Sequence, residues 1–314
     1  LDNRIIIILV AAIGIYASFL FISDFNIISE KISNFKIYYL PLILLLVSAS
    51  WIPLIIRWNF LLKNCKIHIP FTKSILVYLS GSALQITPGQ IGELIKAQIL
   101  KTGFNIPRTK TASVVLVEKV YDLIGAIVAS IIGIIILELE IYLIILAVFI
   151  LILIFFFIYY KPAFEFFLRR IIKMKFFSKY TENISESYEV IKKSTAPKVA
   201  IFSIFLSITY WFIVSVAVYY TLLAFDVDVL NYLKVLSIFT TSTILGAITF
   251  IPGGIGVTEG SIAGLFTLEG IHMSTALILS VMIRIVTLWY NVGIGFIALK
   301  FSGGFSFKKD FPKE

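Results

Sequence analysis

Residues 88–92 read Pro88, Gly89, Gln90, Ile91, Gly92, with Glu93 next, and residues 252–256 read Pro252, Gly253, Gly254, Ile255, Gly256, with Glu259 close behind. Both phrases sit inside long apolar stretches. Proline removes a backbone donor and glycine frees the backbone, so each phrase breaks a helix. A broken segment at membrane depth, present twice, is an arrangement from which transport sites are built.

The surroundings of these phrases set the class. Of 314 residues, 59% are hydrophobic and 14% charged, and the mean hydropathy is +1.00, far from the mix of a soluble domain. The chain reads as an all-α polytopic membrane protein forming a single membrane domain over residues 1–314. A net charge of +9 raises nucleic acid as a partner, but the cations fall in short segments between apolar runs. That is the positive-inside pattern of a protein facing anionic lipid, and no nucleic-acid partner is expected. Cys65 is the only cysteine, which excludes an internal disulfide and a thiolate metal site; His68 and His272 are isolated. No cofactor and no metal are expected.

Six full spans follow from the apolar runs: residues 5–22, 37–62, 111–137, 141–160, 199–225 and 274–299. The first is read as an anchor, since it lacks a small-residue cleavage site. Arg57, at the later end of the second, is read as a cation reaching the interface. The two broken segments occupy residues 74–100 and 230–268. Charge counting places the cluster Arg169, Arg170, Lys173, Lys175 and Lys179 in the cytoplasm, together with both termini. The first broken segment then has basic loops on both flanks, Lys63, Lys66 and Lys73 before it and Lys101, Arg108 and Lys110 after it. It is therefore expected to be a re-entrant helical hairpin entering from inside. The second lies between the Asp226 and Glu269 turns and should enter from outside, with Lys234 dissenting.

Two halves of opposite direction emerge, residues 37–137 and 199–299, each holding one hairpin. Pro88 and Pro252 are 164 residues apart, as are Gly92 and Gly256; beyond Val257 and Thr258 the offset becomes 166, which sets Glu93 against Glu259 and Glu118 against Arg284. Such inverted repeats can rock about a shared midplane site. The hairpins should line a polar cavity, and their helix ends, with exposed amides, suit an anionic group such as phosphate.

Charges inside the spans point to that cavity. Glu118 lies about 10 Å into its helix at the usual rise, Asp122 is one turn further on the same face, and Lys119 is adjacent. Arg284 lies near the middle of the last span. Such charges are costly and need partners. Two readings stay open. In one, Arg284 and Lys119 meet phosphate while Glu93, Glu118, Asp122 and Glu259 meet cationic groups, hydroxyls or protons; in the other, Glu118 and Arg284 pair to tie the halves together. Lys96, one turn beyond Glu93, either reaches a phosphate or snorkels. Gln85, Thr87, Gln90, Thr243, Thr249 and Thr258 offer hydrogen bonds or caps at the breaks. Tyr121, Trp289 and Tyr290 pack against a headgroup or serve as ordinary aromatic packing.

Residues 161–198 interleave Phe167, Ile171, Met174 and Phe177 with cations and read as an amphipathic basic segment on the cytoplasmic leaflet. Asn183, Ile184 and Ser185 match a glycosylation acceptor, which the cytoplasmic placement makes a chance hit.

At this point the residues resemble a known family. Ile86 through Glu93 with Lys96 is similar to the first signature of the lysylphosphatidylglycerol synthase transmembrane region family of flippase-like membrane proteins. Glu118, Lys119, Val120, Tyr121, Asp122 resembles its acidic-basic-x-x-Asp motif, residues 252–259 resemble its second signature, and Arg284 matches the arginine of its last helix. Lys96 and Lys119 stand where arginine is more usual, which weakens the case for bidentate phosphate binding there. The resemblance implies transbilayer movement of a lipid with a modified headgroup, by a stand-alone member without the aminoacyltransferase domain.

The expectation is a lipid flippase of the cell membrane, not an enzyme, moving a phosphate-bearing headgroup, aminoacylated or glycosylated, by alternating access. Its headgroup or gating residues are Glu93, Lys96, Glu118, Lys119, Asp122, Glu259 and Arg284, and its hairpin breaks are Pro88, Gly89, Gly92, Pro252, Gly253, Gly254 and Gly256. The alternatives are a membrane-embedded lipid-modifying enzyme or enzyme subunit and a secondary transporter of a small solute or ion. The partner is membrane lipid, with a homodimer and a lipid-synthesising enzyme left open. No Walker A motif is present, so movement is downhill or ion-coupled.

Overall fold

The computed structural model describes residues 33–136 and 184–302 together with a few isolated positions. The expected spans at 5–22 and 141–160, the acidic turn at Glu138 and Glu140, the basic cluster at 169–179 and the basic tail lie outside the described residues, as does most of the amphipathic segment at 161–198.

Among the described residues the chain is helical. A 3-10 turn, Ile37–Tyr39, leads into α1 (Leu40–Asn64), followed by α2 (Phe71–Ser82), a 3-10 segment (Pro88–Leu94), α3 (Ile95–Phe104), α4 (Arg108–Ile136) and α5 (Ile184–Ser194). Then come α6 (Pro197–Ala224), α7 (Tyr232–Ile248), a 3-10 turn (Pro252–Gly254), α8 (Val257–Leu268), α9 (Met273–Arg284), a π-helical turn (Ile285–Trp289) and α10 (Tyr290–Phe301). Among the described residues three stretches are long and apolar enough to cross a membrane: Ile37–Asn64, Pro197–Ala224 and Met273–Phe301. Helix α4 has a spanning length, 29 residues, but carries Glu118, Lys119 and Asp122. The chain is a polytopic membrane protein, and its outward faces agree. Leu45, Ile52, Ile56, Ile201, Phe205 and Ile297 are all exposed large apolar side chains on these long helices, and lipid rather than water suits such a surface.

Helix α2 packs on α3, and α7 on α8, so each proline-glycine phrase is the tip of a helical hairpin. With 12 and 10 residues, α2 and α3 reach about 18 Å and 15 Å, well short of the roughly 30 Å of a hydrocarbon core. The packing has a regular exchange. Helix α7 of the second hairpin lies along α4, and α2 of the first lies along α10, while α1 and α6 pair with each other. The two tips touch between these helices. Small residues allow the closest approaches: a Cβ on Gly295 would fall 2.2 Å from the Ala83 nitrogen, where α10 crosses the end of α2.

The backbone at the tips repeats as well. Gly89 and Gly253 have φ of 57° and 62°, and Gln90 and Gly254 have 56° and 65°. These pairs hold the same left-handed conformation at the 164-residue offset. Glycine adopts it freely; Gln90 does so at a cost of about 1–2 kcal/mol.

The last span differs from the expected unbroken helix. A π turn follows Arg284 directly, and such turns are frequent at functional sites.

Candidate functional site

The first break and the helices around it hold a ring of charge. Lys119 Nζ lies 2.5 Å from Glu93 Oε1, Glu93 Oε2 is 3.1 Å from Lys96 Nζ, and Lys96 donates to Glu118 Oε2 at 2.8 Å. Glu118 Oε1 stands 3.9 Å from Arg57 Nη2, which donates to Asp122 Oδ1 at 2.7 Å, and Asp122 Oδ2 returns to Lys119 at 3.5 Å. Cations and carboxylates alternate round the circuit. Its members come from α1 (Arg57), the break (Glu93), α3 (Lys96) and α4 (Glu118, Lys119, Asp122), so it ties the hairpin to two long helices. Arg57 Nη1 also donates to Ser207 on α6, and Lys119 donates to the Gln90 side-chain oxygen Oε1 at 2.8 Å.

Burial makes this arrangement consequential. Arg57, Lys96 and Glu118 are each 1% exposed, and charges so placed persist only when paired. Lys96 is sheathed further: its Nζ lies 5.0 Å from the ring centres of both Trp58 and Tyr78, a cation–π arrangement. Its stem runs over Gly81, where an added Cβ would meet it at 3.0 Å. Lys96 therefore does not snorkel. Arg57 does not reach an interface either. A sequence reading sees Arg57 as a flank because it lies near the end of an apolar run; the helix continues to Asn64 and turns the residue inward. It shares the α1 face of Ser50, Leu54 and Leu61, all buried.

The second break holds a smaller cluster. Arg284 Nε donates to Glu259 Oε1 at 2.9 Å, Arg284 Nη2 donates to the Gly253 carbonyl, and the Gly256 amide donates to Glu259 Oε2 at 2.7 Å. Glu259, fully buried, thus closes the start of α8 with the chain's own carboxylate. Glu118 and Arg284 do not pair with each other; each serves its own break. The halves are joined instead by helix packing, by the Arg57–Ser207 hydrogen bond and by contact between the tips. A Cβ added at Gly89 would lie 3.1 Å from the Phe250 ring, and one at Gly253 would lie 3.1 Å from Ile86 and 3.5 Å from Leu288.

Other residues turn out to brace the frame. Thr87 Oγ1 donates to the Leu84 carbonyl at 2.8 Å and accepts from the Gly92 amide at 2.7 Å, while Thr249 Oγ1 donates to the Gly246 carbonyl at 2.7 Å. Thr243 bonds within its own helix, to the Phe239 carbonyl at 2.8 Å. Tyr121 donates to the Ser194 carbonyl at 2.8 Å, fastening α5 to α4. Tyr290 stacks on Trp51 at 5.6 Å and shares a 2.8 Å hydrogen bond with Ser48. Lys234 Nζ donates to Glu269 Oε2 at 2.6 Å. His272 accepts from the Ser274 amide at the start of α9. Among the described residues no group of histidine, cysteine and carboxylates is arranged to hold a metal ion.

Comparison with known proteins agrees with this frame. Over 287 residues, 82% of the chain, it is 26% identical to a UPF0104 membrane protein of Pyrococcus horikoshii, covering 85% of that relative. Two shorter matches, 26% identical over 105 residues and 30% over 92, are to UPF0104 membrane proteins of Methanothermobacter thermautotrophicus; these cover 31% and 27% of the relative's length. The family model described as the lysylphosphatidylglycerol synthase TM region matches residues 7–295, which include both breaks, the ring and Arg284. The chain belongs to the lysylphosphatidylglycerol synthase transmembrane region family.

Proposed function

We propose that this chain is a lipid translocase of the cell membrane, moving a phosphate-bearing headgroup, aminoacylated or glycosylated, between leaflets without altering it. The observation that carries the reading is the closed ring of Arg57, Glu93, Lys96, Glu118, Lys119 and Asp122, buried at the first break of an otherwise apolar chain. A single structural tie needs two charges. Six, arranged so that each cation can exchange a carboxylate for a phosphate oxygen, make a polar station on a route that lipid tails can flank.

The halves 37–137 and 199–299 are read as inverted repeats, and the two hairpins as re-entrant segments entering from opposite faces. Three features support this: the short arms α2 and α3 of the first hairpin, the reciprocal packing of α2 on α10 and α7 on α4, and the matching left-handed backbones of Gly89 and Gly253. The touching tips then act as the closed gate between an inner and an outer access path. Family membership supports a lipid-related role.

The test is reconstitution into vesicles with fluorescent phosphatidylglycerol, lysyl-phosphatidylglycerol, phosphatidylcholine and a glycolipid, scoring the leaflet by dithionite quenching. Faster exchange of a phosphate-bearing lipid than in empty vesicles is expected. Equal rates for all lipids with and without protein would sink the proposal, and a changed lipid mass would favour a lipid-modifying enzyme.

A further inference from the structure

The ring is formally neutral, with three cations against three carboxylates, and that balance constrains what can enter it. A phosphate diester brings one negative charge into a place where every cation already has a carboxylate partner. Uncompensated charge at such a depth is strongly disfavoured. Moving a carboxylate out would drag Glu118, 1% exposed in the middle of α4, or Glu93 at the hairpin tip. Neutralising one carboxylate with a proton needs no backbone movement.

The hydrogen bonding singles out which one. Glu93 has a lysine on each oxygen, Asp122 has Arg57 on one oxygen and Lys119 on the other, and Glu259 has Arg284 and the Gly256 amide. Glu118 accepts from Lys96 on Oε2, but its Oε1 has no hydrogen bond, with Arg57 Nη2 at 3.9 Å. Beside it Arg57 Nε also lacks an acceptor. Buried polar atoms are seldom left so. The pair is an acceptor that can take a proton next to a donor that can take a phosphate oxygen. The charged and titratable groups around Glu118 are Arg57 from α1, Tyr78 from α2, Lys96 from α3, and Lys119 and Asp122 from α4; Glu93 of the break shares Lys96 with it, and Tyr210 of α6 lies near Arg57, Glu93 and Asp122.

We propose that Glu118 is the coupling site of the translocase: a proton from the side of entry binds its Oε1 as a phosphate diester engages Arg57 and Lys96, and leaves when the headgroup departs on the other side. The carboxylate becomes a carboxylic acid and returns, so one proton travels in the same direction with each phosphate-bearing headgroup that lacks a cation of its own. This inference rests on the translocase reading and adds its driving force.

Purified protein in detergent, weakly buffered with an indicator dye, is mixed with dihexanoyl phosphatidylglycerol. About one proton is expected to be taken up per lipid bound, with none for the zwitterionic dihexanoyl phosphatidylcholine and none with Glu118→Gln. In vesicles, an acid-outside gradient should speed inward movement of fluorescent phosphatidylglycerol several-fold, and Glu118→Gln should remove that dependence. Binding and movement of phosphatidylglycerol with no proton uptake and no gradient response would overturn the coupling and leave the translocase standing; undiminished uptake in Glu118→Gln would overturn the site. Proton uptake with inorganic phosphate but not with the lipid would keep the protonation and remove the lipid as cargo. No binding and no movement of any lipid would overturn both. The wild-type measurements suffice on their own should the variant not fold.

Discussion

Arg284 at the end of α9 and Glu259 in the first turn of α8 meet at 2.9 Å, and each reaches the backbone of the second break as well, Arg284 through the Gly253 carbonyl and Glu259 through the Gly256 amide. Two charges and a proline-glycine turn thus form one unit. Removing either charge breaks a buried ion pair, at a cost of about 3–5 kcal/mol. Arg284→Ala and Glu259→Ala are each expected to lower thermal stability in detergent markedly. The double variant should be less destabilised than the sum of the two, and simple additivity in that cycle would show that the pair is not coupled.

Gly295 and Gly293 lie two residues apart on α10 but face different surroundings. A Cβ at 295 would lie 2.2 Å from the Ala83 nitrogen, whereas one at 293 meets nothing within 4 Å. Gly295→Ala should force α10 away from α2 and destabilise by about 1–3 kcal/mol or more. Gly293→Ala should change stability by less than about 1 kcal/mol. Melting curves of the two variants side by side settle the point, and similar values would mean that α2 and α10 are not in close contact.

Gly89 and Gly253 occupy left-handed backbone at the touching tips, so alanine is strained at both by about 1–2 kcal/mol. At Gly89 the new methyl also presses on the Phe250 ring. Gly89→Ala and Gly253→Ala are expected to slow transbilayer lipid movement in vesicles by more than their loss of stability explains. Full activity in both would argue that the tips do not gate the path.

Cys65, the only cysteine of the chain, lies buried at the end of α1, 3.3 Å from the Ser194 hydroxyl. Burial pushes its thiol up from the ordinary value, with the hydrogen bond shared with Ser194 opposing, and only the thiolate reacts readily with maleimide. Labelling of the native protein at neutral pH should be slow and become fast in sodium dodecyl sulfate. Rapid labelling of native protein would show that α5 does not cover this end of α1.

Much of the architecture was legible because it depends on local chemistry. Proline and glycine break a helix wherever they stand, so both breaks could be read from residues 88–92 and 252–256. Apolar length marks α1, α6 and the last span. The π turn after Arg284 was not legible, because Ile285, Val286, Thr287, Leu288 and Trp289 carry no breaking signal; the turn arises where Arg284 is held by Glu259 and Gly253. Of the charges, Glu93, Lys96, Glu118, Lys119 and Asp122 could be named as candidates by their depth in apolar runs. Arg57 could not, since it stands near the end of such a run, where a cation ordinarily reaches the interface.

Sequence alone determined that the chain is a membrane protein, where its helices break, and which charges need partners, because hydropathy, proline and desolvation act residue by residue. Tertiary structure alone decided who partners whom. Glu118 faces Lys96 and Arg57 rather than Arg284, and Arg284 faces Glu259, because the hairpins fold back and carry residues 22 or more apart in the chain into one ring or one clamp. Pairing depends on that packing, which no local pattern encodes.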